Sequence, residues 1–285
     1  MNMEDDLISV IFTCYKRPNL TELCLRRLVE LMPDPYELIL IYDGNSQNYV
    51  NRLLNIFEFD HIVMNPQRGG HRFALINRGL DACKGNYFMH VENDFYWSRP
   101  GSVRRAFEAF EKIPELDFVR FEYLPLWRSQ CERTVKLSDD ILCIPPKDTS
   151  YRWNLSPHMR KTKFPAGRLP EKFVYPAQPE KSYGEKYNKY DYVAGCLTGE
   201  NFRHLGIYDE GGLYKQLYSE RFTLVPDQPR FDPWTEFLKF CDNEKYQQLF
   251  KRYLNKNKGE GLEDEQMISN HMFLVHRRPK QRWLI

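Results

Sequence analysis

The sequence contains no C-x-x-C pair, and its seven cysteines, at positions 14, 24, 83, 131, 143, 196 and 241, are scattered and odd in number. That usage argues against a disulfide framework and for a reduced chain. No apolar stretch approaches the roughly 18 residues of a membrane span. The first residues, MNMEDD, are acidic where a secretory leader is basic, so no leader is expected. Repeats and low-complexity tracts are missing. So is the G-x-x-x-x-G-K-[ST] loop of triphosphate-binding proteins, and Gly69 and Gly70 are too few for a G-x-G-x-x-G fingerprint. No cysteine has a His or Asn arrangement that suggests covalent catalysis. The formal charge of +2 argues neither for nor against a nucleic-acid partner. These absences lead to the expectation of a cytoplasmic protein (host cytoplasm if viral).

With 285 residues, 42% of them hydrophobic and 15% aromatic, the chain has enough apolar surface for a sizeable core. Its first part alternates regularly. "LISVIFT" (7 to 13) and "ELILIYD" (37 to 43) are continuous apolar runs, the pattern of strands buried on both faces. Between them Leu20, Leu23, Cys24, Leu28 and Leu31 recur at helical spacing. "HIVMN" (61 to 65) reads as a short third strand, and "RGGHRFALINRGLDACKG" (68 to 85) as a loop, a helix and a glycine stop. "NYFMHV" (86 to 91) is a fourth strand. "GSVRRAFEAFEKI" is a further helix and "DFVRFEY" (117 to 123) a fifth strand. Such alternation predicts an α/β fold, a mainly parallel sheet flanked by helices. Ligands in these sheets bind beyond the C-terminal strand ends. The polar residues there are Thr13, Tyr15, Asp43, Glu92 and Asp94.

The chain divides into three stretches: 1–125, 126–192 and 193–285. The middle one reads as an irregular insertion. Between 147 and 192 it carries ten Lys/Arg against five Asp/Glu, with nine aromatics interleaved. In the last stretch an amphipathic helix is predicted from about Pro233 to Leu254, with Phe237, Phe240, Cys241, Leu249, Phe250 and Tyr253 inward.

"HVENDFYW" (90 to 97) ends an apolar strand on two carboxylates. Unpaired buried charge costs several kcal/mol. Mg²⁺ or Mn²⁺ removes that cost by taking one or two carboxylates together with phosphate oxygens, so "END" reads as a clamp for a metal and a diphosphate. The plainer reading is that Glu92 and Asp94 cap the following turn. Asp43 likewise has a turn role open to it in "YDGNS", and Arg72 can be a solvated residue at a helix start.

The sequence resembles the GT-A (Rossmann-like) glycosyltransferases, specifically the family-2-like nucleotide-sugar transferases. The resemblance rests on "SVIFTCYKRP", "LILIYDGNS", "HRFALINRGLDACKGNYFMHVENDF", "GENFRHLGIYDEG" and "GEGLEDEQMI", in that order, and covers about 1–125 well and 193–276 loosely. It implies a nucleotide-sugar-binding half (1–125), an acceptor-side insertion (126–192) and an acceptor-side half with C-terminal helices (193–285). Thr13 and Tyr15 would line the base pocket, and Asp43 would bond a uracil-like edge or the ribose. Arg17 or Arg72 would face the diphosphate or the base. Asp94 matches the last Asp of the family's D-x-D motif, the direct metal ligand. Glu92 stands at the first position, where ribose and metal contacts both stay open. Asp264 would be the base that takes the acceptor proton, with Glu263 beside it holding an acceptor hydroxyl. Asp264 and its acidic neighbours can equally be helix-start residues. His276, after a short apolar stretch, is placed like a C-terminal metal ligand; His271 is a weaker candidate.

The implied activity is inverting transfer of a hexose or pentose, dependent on Mn²⁺ or Mg²⁺, from a nucleotide diphosphate to an acceptor hydroxyl. UDP is favoured by Thr13, Tyr15 and Asp43. A glycan acceptor would use aromatic residues such as Trp127, Trp153 and Trp234. The alternative acceptor is a hydroxymethylated base of DNA, as in phage DNA modification, with Arg160, Lys161 and Lys163 meeting phosphates. Readings of another class are a nucleotidyltransferase that makes sugar nucleotides and a non-catalytic nucleotide-sugar binder. "CYKRPN" lacks the glycine-rich loop of the nucleotidyltransferases.

Overall fold

The structure, a computed structural model, describes residues 7–15, 17–65, 72–121, 131–146, 157–163, 190–199, 201–205, 237–239, 241–256 and 282–284. At 72–74, 253–256 and 282–284 it describes the backbone alone.

The described residues of the first stretch, 1–125, fold as its apolar runs predict. Strands β1 (Ile8–Cys14), β2 (Tyr36–Tyr42), β3 (His61–Met64) and β4 (Tyr87–Glu92) alternate with helices α1 (Pro18–Leu31), α2 (Gln47–Leu54) and α3 (Arg72–Ala82). A short strand β5 (Phe95–Trp97), helix α4 (Ser102–Lys112) and strand β6 (Leu116–Arg120) follow. Strands β1 to β4 are all parallel, in the order β3-β2-β1-β4. β1 shows why its run has no polar alternation. Ile8, Val10, Phe12 and Cys14 pack into a core with residues of α1, α2 and α4, while Ile11 faces a second core with Leu75 and Ile76 of α3. Burial on both faces removes the period-two signal. α3 lies so close that a Cβ on Gly79 would come within 2.8 Å of the Ile41 side chain.

The stretch 126–192 is not irregular throughout. Its described residues form β7 (Arg133–Lys136), β8 (Ile141–Ile144) and β9 (His158–Lys161). These join β10 (Val193–Leu197) and β12 (Arg282–Leu284) in a ten-stranded sheet ordered β12-β3-β2-β1-β4-β9-β6-β10-β8-β7. β9 runs antiparallel between β4 and β6, so the parallel half ends there. A separate ribbon pairs β11 (Phe202–His204) with β5. The strands escape sequence reading because β7 is a charged edge and β9 reads His-Met-Arg-Lys, polar by composition though mostly buried.

The expected helix over 233–254 is interrupted. Residues 237–238 are helical, and a new helix α5 (Glu244–Lys256) begins after Asn243. The Asn243 side chain accepts from the Lys245 and Tyr246 amides at 3.1 and 3.3 Å, which starts a helix rather than continuing one. Phe237, Cys241, Leu249 and Phe250 are buried as predicted, in a third cluster with Leu20, Leu23, Cys24 and Tyr96; the side chains of Phe240 and Tyr253 lie outside the described residues.

The expectation of a chain without disulfides also needs correction. Cys131 and Cys143 are paired, with Cα atoms 5.8 Å apart, a separation that a disulfide spans. The antiparallel β7–β8 pairing brings them together, and a spacing of 12 residues does not announce it. Cys14, Cys24, Cys83, Cys196 and Cys241 are in no disulfide. None of the described helices is long and apolar enough to cross a membrane.

Candidate active site

The C-terminal ends of β3, β2, β1 and β4 line up, because Thr13 sits opposite both Ile41 and Glu92 and Tyr42 opposite Met64. Tyr15, Asp43, Asn65, Glu92 and Asp94 therefore emerge along one edge, as expected for a parallel sheet.

Asp43 and Asn65 are positioned by the backbone. Asp43 donates its amide to Cys14 O at 2.9 Å, and its Oδ1 accepts from Asn65 Nδ2 at 2.7 Å. Asn65 in turn donates its amide to Tyr42 O at 2.9 Å. Asn65 thus holds the Asp43 side chain, a contact that sequence reasoning did not single out, although an Asn at the end of a buried strand was the signal. Tyr15 is exposed, so its ring can offer a stacking face. Thr13 is engaged within the protein: its Oγ1 lies 3.3 Å from Val91 O, to which it donates, and 3.2 Å from His90 Nε2. Arg72 begins α3, but its side chain lies outside the described residues.

"END" forms the tight turn between β4 and β5. Its three residues have different tasks. Glu92 is the half-buried last residue of β4. Asn93 is buried and faces inward: its Nδ2 donates to Thr21 Oγ1 at 2.7 Å and to Tyr15 O at 3.3 Å. It ties the turn to α1, a role the sequence reading did not assign. Asp94 Oδ2 accepts from Arg17 Nη1 at 3.0 Å and lies 3.2 Å from His204 Nε2. Burial pushes the Asp94 carboxyl up, but the hydrogen bond and charge of His204 and the charge of Arg17 outweigh it and hold the group below its ordinary value.

His204 was also missed. Its place is set by the β11–β5 ribbon, in which His204 pairs with Phe95, and by the Leu205 amide, which donates to Asp94 O at 2.7 Å. The imidazole stacks on the Phe95 ring with centroids 4.5 Å apart. Arg17 caps α1 at φ 54°, a left-handed conformation uncommon for a residue with a Cβ.

Among the described residues no group of three or more His, Cys, Asp and Glu is arranged to hold a metal ion. The fit to a divalent cation rests on Asp94 itself. Its Oδ1 is buried with no hydrogen-bond partner among the described residues, the condition of an oxygen kept for an electrophile. Mg²⁺ and Mn²⁺ at nucleotide sites take one or two carboxylates and fill the remaining positions with phosphate oxygens and water, so Asp94 with Glu92 nearby suits that mode.

On the α3 side of the sheet, His90, His158 and Arg120 stand in one row across β4, β9 and β6, with Arg160 in the next. All four are at most 1% exposed. Arg160 lies over the Phe88 ring at 4.6 Å, and His158 stacks on Phe118. The expectation that Arg160 meets phosphates at the surface is therefore corrected: antiparallel pairing on both sides buries its strand. Lys161 donates to Pro114 O at 2.8 Å, and Lys163 is exposed. Burial pushes the Cys83 thiol up to about 12 and raises Cys14 and Cys24 as well, so none is a ready nucleophile. Glu263, Asp264, His271, His276, Trp127, Trp153 and Trp234 lie outside the described residues.

Residues 9–126 match the family model described as Glycosyl transferase family 2. Among solved structures, the 1–349 segment of S. aureus TarS in complex with UDP-GlcNAc is similar over 87% of this chain and 72% of that one, at 15% identity and TM-score 0.46. Mannosyltransferase PcManGT from Pyrobaculum calidifontis, in complex with GDP-Man and Mn²⁺, is similar over 90% of this chain and 76% of that one, at 13% identity and TM-score 0.47. The 4-diphosphocytidyl-2C-methyl-D-erythritol synthase of Anaerococcus prevotii DSM 20548 is similar over 77% of this chain and 99% of that one, at 13% identity and TM-score 0.41. No curated protein matches the chain. A sheet with a parallel half, flanking helices and a polar edge at its C-terminal strand ends is the α/β architecture that the sequence predicts. The match over 9–126 makes that stretch similar to the family-2 glycosyltransferases.

Proposed function

We propose that the protein moves a sugar, with inversion, from a UDP-sugar to a glycan hydroxyl, with Mn²⁺ or Mg²⁺ as cofactor. The observation that carries this reading is the buried Oδ1 of Asp94, which has no partner among the described residues, on the strand edge that also bears Tyr15 and Asp43. In this reading Tyr15 stacks on the base, and Asp43, held by Asn65, bonds the uracil edge or the ribose. Glu92 faces the ribose, and Arg17 or Arg72 meets the diphosphate. Asp94 holds the cation, with His276 as a second ligand. The bound cation supplies neutralisation of the leaving diphosphate. Asp264 takes the proton of the acceptor hydroxyl as its oxygen bonds to the anomeric carbon and the bond to the diphosphate breaks; Glu263 orients that hydroxyl.

Thermal-shift screening of UDP-, GDP-, CDP- and ADP-sugars with Mn²⁺ tests the donor. Product detection on simple glycans and on hydroxymethylated DNA tests the acceptor. The reading expects the largest shift with a UDP-sugar and product on a glycan. Stabilisation by another nucleotide alone overturns the uridine assignment, and product on DNA alone overturns the glycan.

A further inference from the structure

Arg17 pairs with the same carboxylate that the cation would use. Its Nη1 lies 3.0 Å from Asp94 Oδ2, in a part-buried ion pair. The other carboxylate oxygen, Oδ1, is buried and has no partner among the described residues. Arg17 reaches this position from a left-handed backbone, a conformation that persists only where the surroundings hold it. A guanidinium and a divalent cation on one carboxylate repel each other, more strongly in a part-buried turn than in water. We infer that Arg17 and the divalent cation compete for Asp94: without donor Arg17 neutralises the carboxylate, and when cation and nucleoside diphosphate arrive together Arg17 transfers to the diphosphate. His204, braced on Phe95 and tied through the β5–β11 ribbon, holds Asp94 in place through the exchange. Cation and donor binding are thereby coupled, and the empty enzyme does not bind the metal tightly. The inference rests on the reading of Asp94 as the carboxylate that carries the cation.

The test is Mn²⁺ binding by the full chain, read from the electron paramagnetic resonance of the free ion, and UDP binding by calorimetry at saturating Mn²⁺. Arg17→Asn removes the charge with a residue that tolerates a positive φ. It is expected to bind Mn²⁺ without nucleotide more tightly than the wild type, by roughly 5- to 150-fold, the usual range of coupling between two ligands, and to bind UDP more weakly. Loss of structure does not tighten metal binding, so the sign is diagnostic. Arg17→Gln gives the same reading if Arg17→Asn does not fold. Mn²⁺ affinity that is unchanged or weaker, or unchanged UDP affinity, overturns the inference while Asp94→Asn still abolishes Mn²⁺ binding. If Asp94→Asn binds Mn²⁺ like the wild type, the reading of Asp94 itself falls.

Discussion

His204 Nε2 lies 3.2 Å from Asp94 Oδ2, although 110 positions separate them in the chain. The contact exists because β11 pairs with β5 immediately after the turn that carries Asp94. The ribbon therefore belongs to the site as much as the parallel strands do.

His204→Ala removes the imidazole beside Asp94 and its stack on Phe95. Groups that orient a metal-binding carboxylate are worth roughly 10- to 100-fold in metal affinity or activity. A loss of that size in kcat/KM is expected, with the chain still folded. Unchanged kcat/KM shows that the imidazole only fills space.

Asn93→Ala removes the amide that donates to Thr21 Oγ1 and Tyr15 O. A lost buried hydrogen bond of this kind costs about 1–3 kcal/mol. Urea unfolding should show a loss in that range, and turnover should fall further than stability because the turn also sets Asp94. A stable, fully active variant contradicts the anchoring role.

Glu22 bonds Arg26 on its own helix and Arg52 at the end of α2, both at 2.9 Å. Burial pushes its carboxyl up, but the two guanidiniums outweigh it and hold the group below its ordinary value. With the folded pKa depressed, the contribution to stability is full above the unfolded value and lost as pH falls through the folded one. Glu22→Gln should therefore cost about 1–2 kcal/mol at pH 7. The difference between the two proteins should vanish in acid. A gap that persists at low pH assigns the effect to packing instead.

Asp264→Asn cannot accept a proton. As the acceptor base, Asp264 should lose turnover by about 10²- to 10⁴-fold while calorimetric affinity for UDP with Mn²⁺ stays near that of the wild type. A defect confined to donor affinity moves Asp264 into the donor pocket.

The first stretch was legible because its strands are buried on both faces and write continuous apolar runs, as in "LISVIFT" and "ELILIYD". The edge residues Tyr15, Asp43, Glu92 and Asp94 followed from where those runs end. α2 escaped because it spans only eight residues, and its one local signal was the Ser46 side chain capping Tyr49 N. β9 escaped for a deeper reason. His158 and Arg160 look solvent-facing in sequence, yet two antiparallel neighbours and the rings of Phe88 and Phe118 enclose them. Pairing at long range, rather than local propensity, decides such burial. His204 and Asn65 were hidden in the same way, since each acquires its role from a partner on another strand.

The most direct test of the cation-bearing Asp94 is calorimetric titration of the full chain with UDP, with and without Mn²⁺, for the wild type and Asp94→Ala. The account predicts that the wild type binds UDP tightly only with Mn²⁺, and that Asp94→Ala abolishes this dependence. UDP binding by the wild type that is equally tight in EDTA, or unchanged in Asp94→Ala, contradicts it.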